Sequence, residues 1–206
     1  MKFLKHAFAI FIILFSTQVF ADLVPGKDYT VLQNSQATST GNKIEVLEFF
    51  FYGCSHCFHL HPELSAWEKS MPKDVELVLV PTIFNANWEP MAYTYYALES
   101  LGKNHDLHNA LYDAWNVNLT DLTDESKIAA FVAKHGVDSQ KFSAAYHSFG
   151  VQSKIMRSKQ MTQTFGIRGT PTLIVDGKYL ITGLQPADTI KVMARLIDKA
   201  RKERKR

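Results

Sequence analysis

Cysteine is the scarcest informative residue in this chain. Among 206 residues there are only two, Cys54 and Cys57. That scarcity excludes a disulfide-stapled scaffold, because a bridge between residues three apart closes too small a loop to constrain the unfolded chain. It also excludes a four-cysteine zinc site, since no distant cysteine completes one. Past residue 21 no apolar run approaches the roughly 20 residues that a membrane-crossing helix needs. The sequence has no internal repeat, no low-complexity tract and no cofactor-binding motif. Charge of one sign is lacking as well: the formal net charge is +3, and two of the lysines, Lys2 and Lys5, fall in the first few residues. A nearly neutral body offers no broad field for nucleic acid.

What is present begins with a leader. Lys2 and Lys5 form a basic start, Ala7 to Phe15 an apolar core, and Val19-Phe20-Ala21 a cleavage-compatible end. We read residues 1–21 as a cleaved secretory signal, with an uncleaved membrane anchor as the alternative, and a mature chain from Asp22. Export to an oxidising compartment favours redox chemistry at the lone cysteine pair.

Tyr29 to Leu32 reads as an edge strand, followed by a polar loop. The run Ile44 to Tyr52 is apolar and rich in Phe and β-branched residues, which marks a buried strand. Gly53 ends it, and a helix is expected to start at Cys54, with Leu60, Leu64 and Trp67 at core spacing and Pro62 predicted to kink it. Val75 to Pro81 is a second apolar strand, so strand, helix and strand form a βαβ unit with a parallel pair. From residue 85 the texture turns helical: Glu89 to Leu101, His105 to Ala114, Glu125 to His135 and Ser139 to Phe149 carry helical periodicity and no strand signal. Asp138 or Ser139 is the expected cap of the fourth. After a further helix near Val151 to Phe165, Thr172 to Val175 and Tyr179 to Thr182 flank Asp176-Gly177 as a hairpin. Ile190 to Ala200 closes the chain as a helix, and the basic 201–206 stretch is expected to be its solvated, frayed end.

Two cysteines three apart at a helix start lie on one face, within reach of a disulfide, and the first sits at the positive end of the helix dipole beside unpaired N–H groups. Both features favour a reactive thiolate at Cys54. His56, between the cysteines, is expected to stabilise that thiolate. Glu48 is a lone carboxylate inside the first buried strand, readable as a buried proton acceptor or as a carboxylate satisfied by backbone donors or water. Thr170-Pro171 opens the late hairpin. Cys54, His56, Cys57, His59 and His61 also crowd eight residues with thiolate and imidazole, the donor set of a Cu(I) or Zn(II) carrier. The histidines after Cys57, however, rotate away around a helix.

Cys54-Ser55-His56-Cys57 behind Leu-Glu-Phe-Phe, Glu48 six residues before Cys54, Pro62 eight after it, Thr170-Pro171 before the hairpin, and the interrupting helical stretch together resemble the thioredoxin superfamily. The resemblance is specifically to the DsbA family of periplasmic thiol:disulfide oxidoreductases, over essentially all of residues 22–200. It implies an α/β thioredoxin-like fold in two parts, 22–84 and 151–206, around an inserted helical domain at 85–150. It makes Cys54 the nucleophile toward client thiols, Cys57 the buried resolving thiol, and Thr170-Pro171, with Pro171 cis, the site that holds substrate backbone across the disulfide. The implied partners are exported client proteins with free thiols and a membrane, quinone-linked reoxidising protein of the DsbB kind; the quinone belongs to that partner and no cofactor to this chain. Ser55 stands where many members have proline, and Leu79 where a basic partner for the buried acid is expected. Net disulfide formation is the expected direction, with isomerase or reductase as the runner-up, since the chain carries no amino-terminal dimerisation domain of the isomerase kind.

Overall fold

The computed structural model describes residues 22–205; the expected signal, residues 1–21, lies outside the described residues. Five strands form one mixed sheet in the order β1-β5-β4-β2-β3: β1 (Thr30–Val31), β2 (Ile44–Phe50), β3 (Val75–Pro81), β4 (Thr172–Val175) and β5 (Tyr179–Thr182). The crossover from β2 to β3 is α1 (Ser55–Glu68), and these two strands are parallel; every other pairing is antiparallel. After a 3-10 turn at Ala86–Trp88 come α2 (Glu89–Ser100), α3 (Asn104–Asn116), α4 (Glu125–Lys134), α5 (Ser139–Tyr146) and α6 (Phe149–Thr164), then the β4-β5 hairpin and α7 (Pro186–Arg204).

Every residue of β2 is buried, as its apolar run requires of a strand covered on both faces. Its alternation sorts the core. Ile44 and Val46 pack with Leu60 and Leu64 of α1 and with Val192, Met193 and Leu196 of α7. Leu47 and Phe49 point the other way, to Phe165 and Ile167 just past α6. With side chains alternating between faces, Glu48 shares the face of Val46 and so lies beneath α1. Phe50, at the end of the strand, joins Cys57 in the aromatic core of the helical block, together with Tyr95, Leu111, Tyr112 and Phe142. Truncating a buried phenylalanine such as Phe50 to alanine is expected to destabilise by about 3–5 kcal/mol.

The helical block is closed by side-chain caps. Asp124 accepts from the Lys127 N–H at 3.0 Å, Asp138 from Lys141 at 2.9 Å and Ser148 from Val151 at 3.2 Å. Each cap is worth about 1 kcal/mol. The hairpin turns through Asp176 (φ 54°) and Gly177 (φ 64°), the pair of positive φ values that a two-residue turn matching strand twist requires. A Cβ at Gly177 would come within 2.1 Å of the Gln36 carbonyl oxygen, so only glycine fits under the polar loop.

The carboxyl end departs from the sequence expectation. Rather than fraying after Ala200, α7 continues to Arg204 because its basic residues find partners far away in sequence. Arg201 grips Asp74 with Nε–Oδ2 2.6 Å and Nη2–Oδ1 3.0 Å. Arg204 donates to the carbonyls of Asn42 and Lys43, and to the buried Asp176 at the hairpin turn.

Candidate active site

The cysteine pair is built by the end of β2 and the start of α1. Phe51 stacks on Trp88 (centroids 3.9 Å, 9° between planes) and meets Trp115 edge-on at 5.6 Å. The chain then turns at Gly53. A Cβ there would meet the Phe51 ring and the Trp115 indole at 2.5 Å, so the residue before Cys54 must be glycine for the strand-to-helix turn to lie on this aromatic shelf. The Asn116 side chain donates to the Tyr52 carbonyl at 2.8 Å and holds the same turn from the far side. None of these contacts was visible in the sequence; the glycine before Cys54 was the available signal.

Cys54 is the N-cap of α1, in extended geometry (φ −91°, ψ 115°) and with no side-chain cap of the usual oxygen kind. Its half-buried sulfur therefore stands where a capping oxygen would be, facing N–H groups that the helix cannot use. Both cysteines are free thiols. The Cys54 thiol is lowered to about 5, first by the hydrogen bond from the Cys57 thiol, then by the Thr170 side chain and the backbone N–H groups of Cys57 and His56, against the opposing effect of burial. In the thiol form its Sγ donates to the Thr170 carbonyl at 3.2 Å. The His56 side chain is exposed, and what this residue brings to the sulfur is its backbone N–H.

Cys57, one turn further, is completely buried. Burial pushes its thiol far up, reinforced by its hydrogen bond to Cys54 and by the charges of Glu48 and Cys54. Glu48 is also buried, paired in register with Leu79 on β3 and Leu173 on β4, apolar neighbours on both sides. Among the described residues its Oε1 has no hydrogen-bond partner. Desolvation, followed by the charges of Glu68 and Cys54, raises its carboxyl to about 8.

The Thr170–Pro171 peptide is cis and faces Cys54 across the Thr170 carbonyl contact. Beside it a groove of about 750 Å³ runs between His59, Leu60 and Pro62 of α1 and Pro171, Leu184 and Pro186. The histidines of the metal-carrier alternative diverge. His59 lines this groove, whereas the Nε2 of His61 pairs with Asn109 of α3 on the other side of the helix. Among the described residues no group of three or more His, Cys, Asp or Glu side chains has an arrangement suited to a metal ion. No helix of the described residues is long and apolar enough to cross a membrane.

Comparison with known proteins agrees with this geometry. Residues 73–193 match the DSBA-like thioredoxin domain family. The chain is 34% identical over 183 residues to the thiol:disulfide interchange protein DsbA of Pseudomonas aeruginosa, covering 87% of each chain. With the protein of the same name from Bordetella parapertussis the identity is 36% over 180 residues, covering 85% of this chain and 86% of that one. The crystal structure of Pseudomonas aeruginosa DsbA superposes with a TM-score of 0.84 at 34% identity, covering 88% of this chain and 96% of that one. That of the oxidoreductase DsbA from Xylella fastidiosa gives 0.82 at 30% identity, covering 87% and 98%. With two cysteines at the start of α1, a cis-proline opposite them and this identity over most of its length, this chain belongs to the DsbA family of thiol:disulfide oxidoreductases.

Proposed function

We propose that the protein introduces disulfide bonds into exported client proteins in the periplasm, after its signal has been removed between Ala21 and Asp22. Cys54 is the nucleophile and Cys57 the resolving thiol. In the oxidised protein a client thiolate attacks the Cys54 sulfur, the Cys54–Cys57 bond breaks, and Cys57 leaves with the bonding electrons. A second client thiolate then attacks the client sulfur of the mixed disulfide. The client gains its disulfide and Cys54 and Cys57 are left reduced. Pro171 and Thr170 hold client backbone against the nucleophile, and the adjoining groove accommodates the residues that flank the client cysteine. Glu48 exchanges a proton with Cys57, and His56 assists Cys54 through its N–H. Residues 85–150 act as an inserted helical domain between the thioredoxin-like parts 22–84 and 151–206. A membrane protein linked to quinone restores the disulfide.

The observation that carries this reading is the place of the Cys54 sulfur, at the N-cap of α1 and 3.2 Å from the Thr170 carbonyl of the cis Thr170–Pro171 peptide, surroundings that lower its thiol. Stabilising the thiolate stabilises the reduced form, by about 1.4 kcal/mol per pKa unit. For a two-electron couple that is roughly 30 mV of oxidising power per unit. A helix dipole alone contributes only about 0.3–1 kcal/mol, so the direct donors to Cys54 carry most of the effect. Because the folded value is depressed, the stabilisation is complete above the unfolded thiol value of about 8.5 and is lost as pH falls through the folded value. Denaturant melts of both redox forms test this. The reduced form is expected to be the more stable at pH 7, with the gap closing below pH 5; a more stable disulfide form at pH 7 refutes net oxidation.

A further inference from the structure

The redox chemistry makes no use of the outer face of α7. Val192, Met193, Leu196, Ile197 and Ala200 bury the inner face in the core. On the opposite side Lys191, Arg195, Lys199, Lys202 and Lys205 line up at helical spacing, interrupted by Asp188 and Asp198. Residues 191–206 carry eight lysines and arginines against Asp198 and Glu203, a net of +6. Residues 22–190 carry thirteen against eighteen acids, a net of −5. The chain past its signal is therefore nearly neutral as a whole but strongly polarised toward this helix. Two of the lysines are in surface ion pairs, Lys191 with Asp188 and Lys199 with Glu203, both at 3.3 Å, and pairs of this kind hold little in water. The start of the described chain lies against the same face. Asp22 meets Arg195 at 3.7 Å, and a depression of about 480 Å³ separates Asp22, Leu23 and Tyr29 from Arg195, Lys199 and Lys202. Val24, two residues on, is 49% exposed.

We infer that this face of α7 docks on the anionic phospholipid headgroups of the membrane that the protein has crossed. The choice of occupant rests on the reading of residues 1–21 as an export signal. The apolar core of a signal sits in the bilayer until cleavage, so Asp22 emerges at the membrane surface and the α7 face folds beside it. Cleavage also gives Asp22 a free α-amino group, a further positive charge at this place. The cations are spread along about 21 Å of helix, which suits a plane of headgroups better than a single ligand. Each basic side chain held near an anionic surface strengthens binding about fivefold. The depression between Asp22 and α7 gives a headgroup phosphate a seat beside Arg195, Lys199 and Lys202. The client groove opens at the other end of α7, beside Pro186 and about 24 Å along the helix from Lys202, so docking leaves Cys54 open to clients.

The test floats the protein of residues 22–206 with vesicles of phosphatidylcholine alone and of phosphatidylcholine mixed with phosphatidylglycerol. Binding is expected to the anionic vesicles only, and to disappear in about 0.5 M salt, where charges are screened within a few Å. Lys199→Gln, Lys202→Gln and Lys205→Gln combined should weaken it about a hundredfold, from the fivefold that each lysine contributes. Removing as much charge from the helical block, with Lys103→Gln, Lys134→Gln and Lys141→Gln, should leave binding near the parent value. Vesicle-bound protein in the disulfide form should react with a client peptide thiol at the rate of the free protein. No binding to the anionic vesicles, equal binding to the neutral ones, or equal losses from the two sets of substitutions overturns the docking face. A slower thiol reaction on the vesicles overturns the stated placement of Cys54. Retention of Met1 in the exported protein, read by mass spectrometry, overturns the signal reading, and the vesicle results on residues 22–206 are independent of it.

Discussion

Cys54 and Cys57 lie one turn apart on the same helix and share a hydrogen bond, yet their surroundings drive the two thiols in opposite directions. Cys54 occupies a capping position, half open to solvent, with spare N–H groups and the Thr170 side chain on its sulfur. Cys57 is sealed in the aromatic core over a buried carboxyl flanked in the sheet by Leu79 and Leu173. The shared hydrogen bond amplifies the split, because the proton that Cys57 keeps is the proton that steadies the Cys54 thiolate. Local sequence places both sulfurs on one helix face. The difference between them comes from what the fold brings up on either side, Thr170 to the first and Glu48 to the second.

The most drastic way to break the pair is to remove one member. Cys57→Ser leaves the activated Cys54 thiol without a resolving partner. It can form no Cys54–Cys57 disulfide and so is expected to catalyse no net client oxidation, while its Cys54 thiolate, attacking a client disulfide and releasing one client thiolate, leaves a long-lived mixed disulfide, as read by non-reducing electrophoresis. Prompt release of a singly attached client would show that Cys57 is not the resolving thiol.

The second test acts beneath Cys57. Glu48 is held protonated through the range in which an unfolded glutamate, titrating near 4.5, is already charged. A raised folded value means that stability is full below the unfolded value and is lost as pH rises toward about 8. Glu48→Gln should therefore raise stability by on the order of 2 kcal/mol at pH 7 and change it little at pH 4. Urea melts at both values decide the matter; equal midpoints for variant and parent at pH 7 would mean that the buried carboxyl carries no penalty.

The smallest expected effects are on the Cys54 side. Thr170→Val removes a hydroxyl while keeping the shape, and should raise the Cys54 pKa by about one unit and lower the oxidising power by roughly 30 mV. His56→Ala keeps the backbone N–H that reaches the sulfur and should shift both quantities less than Thr170→Val does. Redox equilibration against glutathione gives the ranking, and a larger shift from His56→Ala would return the main role to its imidazole.

The two sides of the pair also differ in how far sequence alone describes them. The strand runs, the two cysteines at a helix start, the Asp176-Gly177 turn and Pro171 ahead of the hairpin are local signals, and the fold follows from them. Glu48 was legible as an acid in an apolar strand, and Leu79 as an absent base. The donors that lower Cys54 were less legible. Thr170 lies 116 positions away in sequence, and its effect depends on the closing of the sheet. The hydrogen bond from Cys57 depends on which of two identical side chains is buried. His61 reads as one of a row of histidines until α3 supplies Asn109, 48 positions on. The basic carboxyl end reads as a frayed helix because Asp74 and Asp176, which pin Arg201 and Arg204, are remote in sequence. Periodicity reports the face a residue occupies, and it is silent about the partner waiting there.

The central claim is the asymmetry of the pair, and alkylation of the reduced protein across pH measures it directly. A brief pulse of iodoacetamide near pH 6, followed by quenching and peptide mass spectrometry, reads each cysteine separately. With its thiol held near 5, Cys54 is mostly thiolate at that pH, whereas an ordinary cysteine near 8.5 is scarcely ionised. The account predicts strong labelling of Cys54 at pH 6 and none of Cys57 up to pH 9. Equal labelling of both cysteines, and only above pH 8, would contradict it.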